Sequence, residues 1–306
     1  MESINIALSI DHNFVQHCAS TINSIMISYK RNICVIFYII HTDLTESDKT
    51  DLNQLIKSDK FKLIFIQIDD AAIRNMPIGG NTISSSITLS TYYRILLPYI
   101  LPDEVEKIIY LDSDIYVNDS IDKLWNFDIN NFAIAGVPEP NQDKKRERLG
   151  LPDRCYYVNA GVSIMNINML REIDYPKKAI EYAYKNKNKI IYHDQDIQNA
   201  ILYNLTTYIP HRWNMVDVYL YKKLPLMDKS HIDEILAYRD NPSIIHFAGY
   251  IKPWHIECRN PYKNLYWQAL KGTKWEHAKK TSKEKSITKR IKLVIKQIVF
   301  GNPYFK

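Results

Sequence analysis

The sequence predicts an α/β fold in which a mostly parallel sheet is flanked by helices. Apolar strand patterns alternate with helical periodicity through its first third. An apolar strand near its middle then ends in two carboxylates, and no apolar run approaches the length of a membrane span.

Taken in order, Ile4-Asn5-Ile6-Ala7-Leu8-Ser9-Ile10 reads as the first strand, and Phe14, Val15, Cys18, Ile22, Ile25 and Met26 recur at helical spacing. Cys34 to Ile40, rich in β-branched and aromatic residues, is the second strand. Thr45 with Asp48 three residues later predicts a helix N-cap, with Leu52, Leu55 and Ile56 on one face. Phe61 to Ile66 is the third strand. Beyond Pro77, Gly79 and Gly80, a helix is expected around Tyr92, Tyr93, Arg94 and Leu96, closed by Pro98 and Pro102. Lys107-Ile108-Ile109-Tyr110-Leu111-Asp112-Ser113-Asp114 delivers its carboxylates at a strand's C-terminal end, where open α/β sheets bind ligands. Strands at 132–137 and 156–162 bracket a charged, mobile loop expected from Asn141 to Arg148. Helices follow from Pro176 to Lys187 and from Asp194 to Leu202, and a short strand, Ser243 to Phe247, breaks at Gly249.

The 306 residues are 46% hydrophobic and 24% charged, the balance of a folded soluble domain, which argues against disorder. The net charge of +6 is unevenly spread. From Lys271 onward 11 lysines and arginines face two glutamates, whereas the rest carries 29 basic and 32 acidic residues. A general nucleic-acid binder spreads positive charge over its folded face, so nucleic acid is not an expected partner. In the tail Ile287, Ile291, Val294, Ile295 and Ile298 share a helical face, with Lys289, Lys292 and Lys296 away from it. That pattern predicts a helix lying on an anionic membrane surface; a helix docked on the main body, or a disordered end, are the alternatives. Cys18, Cys34, Cys155 and Cys258 are too scattered for a zinc site or a disulfide framework, and no secretory signal is visible. The expectation is a reduced, cytoplasmic protein.

Three clusters carry chemistry. Asp112 and Asp114, one residue apart after a buried strand, offer hard oxygen ligands suited to Mg²⁺ or Mn²⁺, provided the strand turns so that both reach one ion. Asp112 capping a turn beside a solvated Asp114 is the plainer alternative. His193-Asp194-Gln195-Asp196 either caps a helix start or lines a polar pocket able to hydrogen-bond sugar hydroxyls. In His246-Phe247-Ala248-Gly249-Tyr250-Ile251-Lys252-Pro253-Trp254-His255, His246 is a core residue or a metal ligand. Gly249 permits close backbone approach, and Lys252 can meet a phosphate.

Together these segments resemble glycosyltransferase family 8 over roughly residues 4 to 268. Asp11-His12-Asn13-Phe14, Thr91-Tyr92-Tyr93-Arg94, Leu111-Asp112-Ser113-Asp114, Asn159-Ala160-Gly161-Val162, Asp194-Gln195-Asp196 and His246 to His255 follow the family's motif order. The resemblance implies a GT-A fold spanning residues 1–270, with a nucleotide-binding half (1–115) and a sugar and acceptor half (116–270); the basic tail (271–306), read from its own charge pattern, lies beyond it. It implies Mn²⁺, or Mg²⁺, held by Asp112, Asp114 and His246. A UDP-sugar donor would meet Asp11, Asn13, Phe14, Arg94, Asp112, Asn159, Ala160, Gly161, Gly249 and Lys252. Asp194 and Gln195 would act at the reacting sugar. The implied reaction moves galactose or glucose, with retention, to a saccharide or lipid-linked oligosaccharide such as a lipopolysaccharide core, at the cytoplasmic face of the inner membrane. A metal-dependent phosphatase or nucleotidyltransferase using Asp112 and Asp114, and a non-catalytic binding protein, are the competing readings.

Overall fold

A computed structural model describes residues 3–69, 71, 73, 74, 76, 89–283, 286 and 301–305. β1 (Ser3–Ser9), α1 (Val15–Ser28), β2 (Cys34–His41), α2 (Glu46–Asn53) and β3 (Phe61–Gln67) realise the predicted alternation. Thr45 and Asp48 close a capping box at the start of α2, which stops at Asn53, short of Leu55 and Ile56. A 3₁₀ helix, Leu89–Leu96, then runs into α3 (Leu97–Ile100). Pro98 therefore does not close a helix. It occupies the first turn of α3, where its missing N–H costs nothing.

β4 (Lys107–Leu111), β5 (Ile115–Val117), α4 (Asp122–Trp125) and β6 (Ile134–Pro138) follow. The stretch expected as a mobile loop is instead α5 (Gln142–Leu149). It has no apolar periodicity, but Asp143 pairs with Arg146 along it, Leu149 is buried, and Gly150 closes it at φ 72°. After β7 (Val158–Asn166) come α6 (Ile167–Glu172), α7 (Tyr175–Lys185), α8 (His193–Leu202), β8 (Thr206–Tyr208), β9 (Met215–Val216), α9 (Lys229–Tyr238), β10 (Ile244–His246) and α10 (Lys263–Ala269).

The main sheet has seven strands in the order β3-β2-β1-β4-β7-β6-β8, of which β7 alone runs against its neighbours. A second sheet, β5-β10-β9, has three strands. Alternate residues of the central strands feed two apolar layers, as pleating requires. Ile4, Ile6, Leu8, Ile109 and Leu111 pack with Cys18, Ile22 and Ile25 of α1, while Ala7, Ile108 and Tyr110 pack with Tyr92, Ile95, Ala179 and Ile197. Both faces are thus covered, which explains why these strands read as continuous apolar runs.

All four cysteines are free, and among the described residues no helix is long and apolar enough to cross a membrane. The expected amphipathic helix falls on residues 287–300, outside the described residues. Residues 301–305 lie against the main body. Tyr304 bridges to Tyr221, and its hydroxyl stands 3.1 Å from Asp217 Oδ1. Phe305 N–H donates to the carbonyl of Leu220 at 2.9 Å.

Candidate active site

The chain leaves β1 toward β2 on one side and pairs β1 with β4 on the other, so the strand order switches direction between β1 and β4. Ligands bind at such a switch point, beyond the carboxyl ends of the strands. Asp11 follows β1 and Asp112 follows β4. Asp112 and Asp114 occupy the short link from β4 to β5, so the chain passes from one sheet to the other between them. This turn is pinned from three sides. The Thr21 hydroxyl is 3.1 Å from the Ser113 carbonyl and 2.9 Å from that of Ile115. Asp112 N–H donates to Gly161 of β7, and Phe247 N–H donates to the Asp114 carbonyl.

The two carboxylates and His246, at the end of β10, converge. One ligand-type atom from each of the three lies within 4.8 Å of the others. Asn214 Nδ2 donates to Asn159 Oδ1, which leaves Asn214 Oδ1 to accept from His246 Nδ1, both at 2.8 Å. That chain turns His246 Nε2 toward Asp114 Oδ1 at 3.2 Å and Asp112 Oδ2 at 3.6 Å. Asp114 Oδ1 is buried without a hydrogen-bond partner. Burial would raise the Asp114 pKa, but Lys252 and His246 hold it well below the usual carboxylate range. Burial opposes protonation of His246 as well, yet Asp114 and Asp112 raise its pKa. Two carboxylates and an oriented imidazole fit a divalent cation. Gly161 completes the fit, because a Cβ there would lie 2.3 Å from His246 Cε1 and 2.5 Å from Asp112 Oδ2.

Arg94 links this cluster to Asp194. Its buried guanidinium donates to Asp112 Oδ1 at 2.7 Å, stands 2.8 Å from Asp194 Oδ2, also bonds the Ala160 carbonyl, and lies 4.1 Å over the Tyr110 ring. Asp194 additionally accepts from the Thr91 hydroxyl. Burial pushes the Asp194 carboxyl up, against the pull of Arg94. Gln195 Oε1 accepts from Ala160 N–H at 3.0 Å and Asn159 Nδ2 at 3.1 Å, while Nε2 donates to Tyr157 Oη at 3.0 Å. Asp196 is fully buried between both guanidinium Nη atoms of Arg148 and the Tyr157 hydroxyl. It also accepts from Ile191 and Tyr192 N–H at the start of α8, so the helix-start role falls to Asp196 and not to Asp194.

The loop after β10 is held by its own motif residues. Gly249 N–H donates to Asp217 Oδ2 at 2.8 Å, and a Cβ at Gly249 would lie 3.1 Å from that oxygen. Lys252 Nζ donates to Asp114 Oδ2 at 2.6 Å and to the Phe247 carbonyl at 2.7 Å. Trp254 stacks on His17 with centroids 3.5 Å apart, and Phe14 meets both rings edge-on. Burial holds His17 down to about 3, so it packs as a neutral ring. At the end of β1, Asp11 Oδ1 accepts from Asn13 N–H at 2.9 Å, while Asn13 itself is exposed.

Four residues of this architecture escaped the sequence reading. Asn214 orients His246. Asp217 gathers Gly249, Asn260 and Tyr304. Tyr157 joins Gln195 to Asp196. Glu139 accepts from Asn159 Nδ2 at 2.6 Å and pairs with Lys145. Asn214, Asp217 and Glu139 stand in no patterned segment that would single them out, and Tyr157 reads only as one residue of the strand at 156–162. Lys145 also lines a cavity of about 900 Å³, together with Arg146, Arg148, Tyr156, Tyr192 and His231.

The model of glycosyl transferase family 8 matches residues 5–258 of the chain. General stress protein A of Bacillus subtilis (strain 168) is 28% identical over 90% of this chain and 95% of the relative. Lipopolysaccharide 1,2-glucosyltransferase of Escherichia coli (strain K12) is 25% identical over 90% of this chain and 80% of the relative. Among solved structures, galactosyltransferase LgtC in complex with donor and acceptor sugar analogues superposes with a TM-score of 0.80 at 22% identity, covering 89% of this chain and 96% of that one. The likeness in fold includes other glycosyltransferases and agrees with the mixed, mostly parallel sheet.

Asn214 offers a direct test of the oriented imidazole. Asn214→Ala is expected to weaken Mn²⁺ binding about 10–100-fold, as losses around metal-binding histidines do. Calorimetric titration of the folded variant with Mn²⁺ reads this; an unchanged affinity contradicts the role.

Proposed function

The chain belongs to glycosyl transferase family 8 and is a glycosyltransferase; from that premise we propose that it moves a hexose, galactose or glucose, from a UDP-sugar to a saccharide hydroxyl with retention of configuration. The observation that carries the reading is the convergence of Asp112, Asp114 and His246 at the β1/β4 switch point. The family match removes the grounds for a phosphatase or nucleotidyltransferase.

In this reading Asp112, Asp114 and His246 hold Mn²⁺ or Mg²⁺. When bound, the ion supplies Lewis acidity to the diphosphate leaving group. The nucleotide-binding half is residues 1–115, where Asp11 and Asn13 read uracil and Phe14, braced by Trp254, walls it. Lys252, already beside Asp114, spends its remaining donor on a phosphate oxygen, and the backbone at Gly249 approaches the same group. Arg94, Asn159, Ala160, Gly161, Asp194 and Gln195 surround the sugar. The carboxylates near it are engaged: Asp194 by Arg94 and Thr91, Asp196 by Arg148 and Tyr157, Glu139 by Asn159 and Lys145. This favours front-face attack over double displacement. The acceptor oxygen bonds the anomeric carbon as the carbon–phosphate oxygen bond breaks, and the departing phosphate oxygen takes the acceptor's proton. Asp194 and Gln195 stabilise the positively charged sugar.

The name of the Escherichia coli relative supports a lipopolysaccharide or lipooligosaccharide core as acceptor. The cavity bordered by α5 and by Leu226, Met227 and Asp228 suits it, with tyrosines for sugar faces. The basic tail, residues 271–306, would hold the enzyme peripherally on the cytoplasmic face of the inner membrane, beside a lipid-linked acceptor.

Asp112→Asn should lower hexose transfer from the UDP-sugar by about 10²-fold or more, with far-UV dichroism unchanged; near-normal turnover by a folded variant contradicts the metal assignment. Reversing Lys289, Lys292 and Lys296 to Glu should release the protein from vesicles containing anionic phospholipid. At about 1 kcal/mol per lysine lost, the partition coefficient read from co-sedimentation falls by roughly 10²-fold or more. Unchanged sedimentation contradicts the membrane role.

A further inference from the structure

Asp217, the residue after β9, is buried and takes donors from three distant parts of the chain. Gly249 N–H donates to Oδ2 at 2.8 Å. Oδ1 accepts from Asn260 Nδ2 at 2.8 Å and from the Tyr304 hydroxyl at 3.1 Å. Burial and Asp217 raise the Tyr304 pKa, so the hydroxyl keeps its proton and donates it. These three donors are neutral. A carboxylate held out of water by neutral donors depends on each of them, and losing one loosens the grip on the others. The segment that brings Tyr304 is itself fixed. Lys222 N–H donates to the Pro303 carbonyl and Phe305 N–H to that of Leu220, each at 2.9 Å, on either side of the antiparallel bridge between Tyr221 and Tyr304. The Tyr304 ring meets Tyr221 edge-on at 5.1 Å and packs with Met215, Val216 and Ile235.

We propose that Tyr304 is a positioning residue for the donor: acting through Asp217 and Gly249, it seats the loop that aims Lys252 at the donor diphosphate. The proposal rests on the UDP-sugar reading and adds to it a requirement carried by the C-terminal segment, beyond the residues 5–258 that match the family. The path is short. Val216 pairs with His246 between β9 and β10, so Asp217 stands one residue beyond the strand pair that carries the imidazole. The Tyr304 hydroxyl and Asn260 fix Oδ1, which leaves Oδ2 for the Gly249 amide, where a Cβ would already lie 3.1 Å away. From that seating Lys252 Nζ reaches Asp114 Oδ2 at 2.6 Å and the Phe247 carbonyl at 2.7 Å. A shift of the Gly249 amide therefore moves the ammonium that meets the phosphates.

The test compares the full chain with its Tyr304→Phe variant, which removes one oxygen and keeps the ring, in solution without vesicles. Calorimetric titration with UDP in the presence of Mn²⁺ should show an affinity lowered about 3–10-fold, in the range of couplings within one hydrogen-bond network, while Mn²⁺ alone binds as before. In a Lys252→Ala background the same change should cost little more. Hydrogen exchange of peptides spanning Gly249 should quicken in Tyr304→Phe, a readout that needs no nucleotide. Absence of UDP binding to the unmutated protein would overturn the UDP reading and this proposal with it. Unchanged exchange at Gly249, unchanged UDP affinity in Tyr304→Phe, or an undiminished further loss in the Lys252→Ala background would each overturn the positioning role alone.

Discussion

Asp112, Asp114 and Asp194 are drawn together within a largely buried space, and the structure depends on how their mutual repulsion is met. Unpaired, such charges would leave water at great cost. Arg94 answers two of them at once, reaching Asp112 with one nitrogen and standing against Asp194 with another, while its face rests on Tyr110. Lys252 and His246 answer the third. The partners of the three carboxylates arrive from three separate elements: the 3₁₀ helix before α3, the end of β10 and the loop beyond it.

Positions in that charge cluster follow from packing some distance away. The turn between Asp112 and Asp114 exists because β4 belongs to one sheet and β5 to another, and Thr21 of α1 holds it by two carbonyls. The loop bearing Lys252 is anchored by Trp254 stacked on His17 and by Gly249 on Asp217. Asp217 is in turn completed by Asn260 and by Tyr304 from the far end of the chain. The chain's last described residues are thus part of the support of the loop that bears Lys252. Gly161 belongs to the same logic, since the imidazole and carboxylate need the space a side chain would fill.

Much of this was legible in the residues themselves. The first five elements announced their periods, and the carboxylates of Asp112 and Asp114 were marked by the apolar strand ahead of them. The clusters around Asp194 and His246 were legible because their residue types are chemically conspicuous, whereas Asn159 was singled out only by the resemblance to the family. The antiparallel β7 and the second sheet were not, because strand direction and pairing are set by long-range contacts. α5 hid behind its polarity; ion pairs, one buried leucine and a glycine cap do not generate an apolar repeat. Asn214 and Asp217 lie in a stretch of short 3₁₀ turns without periodicity, and Asp217 meets partners distant in sequence. Arg94 was read as a donor contact, and its grip on two carboxylates depends on β4 and α8 meeting in space.

In the proposed function a uridine nucleotide and a divalent cation share the switch-point site. The most direct measurement is a thermal-shift comparison of UDP, GDP, ADP and CMP, each with and without Mn²⁺, on the unmutated protein and on Asp114→Asn. Saturating ligand raises the melting temperature by several degrees. A rise specific to UDP with Mn²⁺, lost in Asp114→Asn, is the predicted result. A folded, metal-replete protein showing no preference among the nucleotides would contradict it.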